Sequence, residues 1–226
     1  MLSAIVVAGG SSRRMGFDKL FTPLKGEPVV AHALAAFQET RSVSEIIVVG
    51  REESLAELER LIGRRNFSKV TAVISGGARR QDSVARGLSG VSAGSAYVAV
   101  HDAARPLVRP ELIEQIFQAA QAEGGAASGA PISDTLKRVN AQHLVVGGVD
   151  RLNLFAVETP QIFRRELLQE AFQFITAQGL DVTDEISAVE KIGGKVIIVP
   201  NDSPNFKITY ESDRERAEFI LRQRAD

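Results

Sequence analysis

The chain opens on an uninterrupted apolar run over residues 3–8, Ser3-Ala4-Ile5-Val6-Val7-Ala8. It is short and rich in β-branched residues, which predicts a strand buried on both faces of a parallel sheet. Residues 28–38 then carry apolar positions at helical spacing, with Pro28 in a first-turn position. The alternation recurs: strands are predicted over 45–50, 70–74 and 96–102, and helices over 53–64, about 81–88 and 110–122. Strand and helix in turn predict an α/β fold, a doubly wound, mostly parallel Rossmann-like sheet with right-handed crossovers. The alternation lapses between about 131 and 149, where two short strand-like runs flank Asn140-Ala141 and predict a protruding hairpin. A strand over 154–158, helices over 164–177 and 184–192, strands over 195–200 and 206–209, and a charged helix over 212–224 follow. No repeat or long linker divides the chain. Residues 1–226 are therefore expected to form one domain, with an arm at about 133–150.

A two-stranded ribbon alone is only marginally stable. The arm is therefore expected to rest on something, most simply the same ribbon of a second subunit, which predicts a homodimer. Composition narrows the chemistry. The 226 residues are 44% hydrophobic and 24% charged with a net charge of −1, an ordinary globular balance with no global field to attract nucleic acid or membrane. Any anion site has to be local. Cysteine is absent, which excludes disulfides, thiolate metal sites and cysteine nucleophiles. No apolar run approaches the ~20 residues of a membrane span, and the N-terminus enters a strand directly. The expectation is a cytoplasmic protein.

In such sheets ligands bind beyond the carboxyl ends of the strands, and three informative stretches fall at that edge. After the first strand, Gly9-Gly10-Ser11-Ser12 lets backbone N–H groups come close to a ligand, and Arg13, Arg14 and Lys19 follow within ten residues. Backbone amides and three cations suit a nucleotide triphosphate. The spacing fits neither a Walker loop, since Phe17 follows Gly16, nor a dinucleotide fingerprint. After the third strand comes Ser75-Gly76-Gly77-Ala78-Arg79-Arg80-Gln81-Asp82-Ser83. After the fourth, His101-Asp102-Ala103-Ala104-Arg105-Pro106 puts a carboxylate where it can hold Mg²⁺, directly or through water, or bind a substrate hydroxyl. Arg105 can hold Asp102 in place or meet a phosphate.

Taken with Thr159-Pro160-Gln161, these stretches resemble the 2-C-methyl-D-erythritol 4-phosphate cytidylyltransferase family along the whole length. The order runs A-G-G-S-S-R-R-M, K, G-G-x-x-R-x-x-S-V, H-D-A-A-R-P, D-T-x-K, V-D-R, T-P-Q-x-F, T-D-E and K-I-T. The resemblance implies transfer of CMP from CTP to a sugar-alcohol phosphate with release of pyrophosphate, assisted by Mg²⁺. Catalysis of that kind is mostly positioning and electrostatics. It implies that Arg14, Lys19 and Lys207 act on the triphosphate and that Ala8, Gly9 and Gly10 line the base and triphosphate. Gly77 and Ser83 would recognise cytosine, largely through backbone groups. Asp102 and Arg105 would face the polyol phosphate, and Thr135, Arg151 and Thr159 its phosphate, the first two reaching the site from the partner's arm. Ser12, Asp18 and Ala78 depart from common family residues.

The remaining candidates carry blander readings. His32 and His143 lack metal-ligand spacing. His101 reads equally as a structural histidine or one that orients the strand end. Thr183-Asp184-Glu185 reads as a helix cap or a site edge. Arg79, Arg80 and Arg86 form a basic cluster in which only Arg80 falls in a family motif. The nearest rival is a sister enzyme using ribitol or ribulose 5-phosphate, against which Ala104 weighs. A rival of another class is a non-catalytic CTP-binding module, against which Lys19, Asp102, Arg151 and Lys207 weigh together.

Overall fold

The computed structural model describes residues 1–10 and 19–224. Its first strand, β1 (Leu2–Ala8), is the apolar run that opens the chain. A miniature hairpin, β2 (Pro23–Leu24) and β3 (Glu27–Pro28), leads into helix α1 (Val29–Glu39). Then come β4 (Val43–Gly50), α2 (Leu55–Arg65), β5 (Val70–Ser75), α3 (Arg80–Gly90), β6 (Tyr97–Asp102) and α4 (Pro110–Glu123). The second half holds β7 (Gly125–Pro131), β8 (Leu136–Val139), β9 (Val145–Val149), β10 (Phe155–Arg164), α5 (Arg165–Ala177), α6 (Glu185–Lys191), β11 (Ile197–Pro200) and α7 (Glu211–Gln223).

Among the described residues, seven strands form one sheet in the order β11-β7-β10-β6-β1-β4-β5. All neighbours run parallel except β10, which is antiparallel to both β6 and β7. The mostly parallel α/β sheet is the one predicted. Why β1 is apolar at successive positions is visible in its packing. Ala4 and Val6 point with Ile46, Val48 and Ala99 toward α1, α2 and α4. Ile5 points with Ile47, Val49, Val98 and Val100 toward α3, α5 and α6 on the other face. Each such side chain removed from water contributes about 1.5–3 kcal/mol. A smaller cluster of Leu24, Val29, Leu107, Ile208 and Ala217 seats α7 against the β2–β3 hairpin.

The register sets the functional edge. Val7 pairs with Asp102, Ala8 with Gly50, and Gly50 with Ser75, so these strands end side by side. The predicted hairpin is β8 and β9, paired Leu136 to Val149, with Asn140 closing the turn by accepting from the Leu144 amide at 2.9 Å. Around it Leu144 and Val145 are each 64% exposed, an apolar surface left open to solvent.

Three predictions need correction. Residues 206–209 are not a strand; they cross over the end of β6, where Ile208 N–H donates to the Ala104 carbonyl at 2.8 Å. The strand expected over 154–158 runs on to Arg164, so Thr159-Pro160-Gln161 lies inside β10 and not after it. β7 was not expected at all; its sequence, Gly-Ala-Ala-Ser-Gly-Ala-Pro, carries none of the bulk that marks a strand.

Candidate functional site

Asp102 ends β6 with its residue 8% exposed, and both carboxylate oxygens are engaged. Oδ2 meets Lys207 Nζ at 2.8 Å and Oδ1 meets Arg80 Nε at 3.0 Å. Burial alone pushes the carboxyl up, but the charges of Arg80 and Lys207 outweigh it and hold Asp102 well below the usual carboxylate range. Arg80 opens α3, and its two terminal nitrogens reach Glu185, the first residue of α6, at 2.7 and 3.0 Å. Burial opposes the Arg80 charge, but Glu185 and Asp102 hold the guanidinium still more firmly protonated. Four charges of alternating sign, Glu185, Arg80, Asp102 and Lys207, thus run from the interior to a lysine side chain that is 41% exposed.

The backbone beside Asp102 is held by a second chain of bonds. The Asp102 amide donates to Thr159 Oγ1 at 3.0 Å, and that hydroxyl lies 3.0 Å from His101 Nδ1. His101 Nε2 lies 3.2 Å from the Arg105 carbonyl, which can only accept. The proton is therefore on Nε2, and Nδ1 accepts from Thr159. The ring is fully buried against Phe37, and burial lowers it to about 4. Thr159 belongs to the stretch where pairing of β10 with β7 lapses, between Val157 and Gln161, and its bond to Pro160 is cis.

Lys19 and Lys207 are brought to the same edge by one segment: Lys19 Nζ donates to the Ile208 carbonyl at 2.9 Å, next to Lys207. Arg105 donates to the Asn205 carbonyl at 2.8 Å, and burial lowers its pKa. Gly77 and Ser83 meet directly, the Gly77 amide donating to Ser83 Oγ at 3.0 Å. A Cβ on Gly77 would stand 2.3 Å from Asp82 Cβ, so the turn closes only over glycine. Gly9 belongs to the same wall, since a Cβ there would lie 3.7 Å from Ser83 Oγ. Ala8 is the last residue of β1, and Gly10 follows two positions later. Arg14, with Arg13, lies outside the described residues.

Thr135 and Arg151 are elsewhere. Both are exposed at the base of the hairpin, where Arg151 donates to the Ser133 carbonyl. Among the described residues, no hydrogen bond or ion pair joins them to Asp102, Lys19 or Lys207 of the same chain. His32 bonds the Leu24 carbonyl at 2.7 Å, and His143 lies in the hairpin turn. Arg79 pairs with Asp82 and Asp181, and Arg86 caps the end of β5 through the Gly76 carbonyl at 2.6 Å.

Sequence reasoning missed a supporting cluster. Glu158 Oε2 accepts from Asn201 at 2.9 Å and Asn205 at 3.2 Å, and Asn205 also bonds the Thr159 carbonyl at 2.9 Å. Those bonds tie the loop that carries Lys207 to β10. The one available signal was a pair of asparagines shortly before Lys207.

Comparison with known proteins places the chain in a family. Residues 2–223 match the protein family described as IspD: 2-C-methyl-D-erythritol 4-phosphate cytidylyltransferase. The enzyme of that name from Dehalococcoides mccartyi (strain CBDB1) is 40% identical over 98% of this chain and 96% of its own length. That from Symbiobacterium thermophilum is 38% identical over 99% and 94%. The crystal structure of the Thermus thermophilus enzyme superposes with a TM-score of 0.81 at 31% identity, covering 98% of this chain and 100% of that one. The 4-diphosphocytidyl-2C-methyl-D-erythritol synthase of Anaerococcus prevotii gives 0.87 at 25% identity, over 98% and 96%. Matched across nearly its full length in both sequence and fold, the chain belongs to the 2-C-methyl-D-erythritol 4-phosphate cytidylyltransferase family.

Proposed function

We propose that this chain transfers the cytidylyl group of CTP to 2-C-methyl-D-erythritol 4-phosphate, giving CDP-methylerythritol and pyrophosphate for non-mevalonate isoprenoid synthesis. The observation that carries this is the family match over residues 2–223, joined to the convergence of Lys19, Lys207 and Asp102 at one strand edge. An oxygen of the polyol's phosphate attacks the α-phosphorus of CTP in line as the bond to the bridging oxygen breaks, and pyrophosphate leaves. Lys19, Lys207 and Arg14 supply positive charge where negative charge grows, which is the main contribution a protein makes to such a transfer. Ala8, Gly9 and Gly10 face the base and triphosphate, and Gly77 and Ser83 the cytosine. Asp102 binds a polyol hydroxyl, with Arg105 beside it. Thr159 lies near the polyol's phosphate, with its hydroxyl oriented by His101.

Enzymes of this family depend on a divalent metal, and Mg²⁺ is the ion proposed here. The donor set suits it. Among the described residues there is no group of three metal-ligating side chains, and Asp102 is the carboxylate that meets Lys207. Mg²⁺ commonly rests on substrate phosphates and water with one or two carboxylates; bound that way it would neutralise triphosphate charge. The chain acts as a homodimer through the exposed hairpin, and Thr135 and Arg151 serve the partner's site. No helix among the described residues is long and apolar enough to cross a membrane, and a cytoplasmic location is proposed. The test is pyrophosphate release from CTP and Mg²⁺ with methylerythritol 4-phosphate or ribitol 5-phosphate. Release with the first is expected; release with the second alone would overturn the assignment.

A further inference from the structure

Glu185 touches no substrate in the reading above, yet it is the deepest charge at the site, its side chain 1% exposed. Both its oxygens are taken by the terminal nitrogens of Arg80, at 2.7 and 3.0 Å. A guanidinium holds its donors in one rigid plane. Fixing the two terminal nitrogens therefore fixes where Nε–H points, and it points at Asp102 Oδ1, 3.0 Å away. Glu185 is itself anchored. Its amide and that of Ile186 donate to Gln161 Oε1 at 3.2 and 3.1 Å, and Gln161 sits buried in β10. Ala188 and Val189 lock α6 into the core beneath. Rigidity is thus handed from the sheet through α6 and Arg80 to one oxygen of Asp102, while the other oxygen, among the described residues, meets the half-exposed Lys207. Stability does not explain this: a buried ion pair is often no better than an apolar replacement of the same volume.

We propose that Glu185 is a positioning residue for cytidylyl transfer. It holds Arg80 so that one oxygen of Asp102 is pinned and the other is presented to the polyol phosphate. The proposal rests on the reading of Asp102 as a polyol contact. The test is a double-mutant cycle by steady-state kinetics of the full chain with Glu185→Gln, Asp102→Asn and both. A misplacement of about 1 Å can reduce a rate about 100-fold. Glu185→Gln should accordingly lower kcat/KM for the polyol phosphate by roughly 10–100-fold and leave the KM for CTP within about twofold. In the Asp102→Asn background the same change should have almost no further effect. Losses that multiply in the double variant would overturn the proposal, because Glu185 would then act elsewhere. Wild-type kinetics for Asp102→Asn would overturn it at a different point, by removing the polyol contact itself. Should Glu185→Gln lose its cooperative unfolding transition, the Arg80→Gln/Glu185→Gln pair, which leaves no unpaired buried charge, enters the same cycle with the same criteria.

Discussion

His101 is a side chain that the fold keeps from taking up a proton. Its Nδ1 accepts from Thr159, whose hydroxyl in turn receives the Asp102 amide, and burial lowers the ring to about 4 from an ordinary 6.5. Between those two values the unfolded chain binds a proton that the folded chain does not, so this group's contribution to stability falls as pH falls through that window. From about pH 7 to about pH 5 the loss should be roughly 2 kcal/mol. His101→Gln cannot titrate. Its urea-unfolding free energy should therefore vary less with pH than that of the wild type by about that amount, whatever its absolute value. Parallel pH profiles for the two proteins would show that the ring titrates normally in the fold.

β7 shows what small residues do at the level of an element. A Cβ on Gly125 would stand 2.9 Å from the Phe163 ring and 3.2 Å from the Lys195 carbonyl, with Phe163 fully buried. Gly125→Val, although valine is the better strand former, should therefore destabilise the chain by about 1–3 kcal/mol. A lowered urea midpoint with an unchanged slope would register it; an unchanged midpoint would mean that β10 yields easily. The same crowding is why β7 escaped the sequence. Period-two bulk is the signal of a strand, and here the bulk belongs to the neighbours. Strands such as β1, β4 and β6 were legible because their own side chains fill both layers. The strand ends that carry the site were legible for the same reason. The contacts across it were not: Lys207 and Asp102 are 105 positions apart, as are Arg80 and Glu185, and no local pattern pairs them. Family resemblance supplied Lys207. Arg80 stood in one motif and Glu185 in another without any sign that they meet.

For the whole molecule, the proposed dimer divides each site between two chains, with Lys207 from one and Arg151 from the other. Lys207→Ala and Arg151→Ala, each nearly inactive alone, should then recover activity when unfolded and refolded together. A mixed dimer has one site with both defects and one with neither, so an equal mixture should reach about a quarter of the wild-type rate. No recovery would place both residues in one chain's site. The loop over residues 205–209 has a consequence in time as well as in space. It gives Asp102 its lysine, Arg105 the Asn205 carbonyl and Lys19 the Ile208 carbonyl, and it closes over the turn that follows β6. A ribosome delivers it after every strand of the sheet has been made. The nascent chain therefore has all the residues of its sheet only a few positions before it has those of its site. A product of interrupted translation that stops short of it is silent, however well the rest has folded.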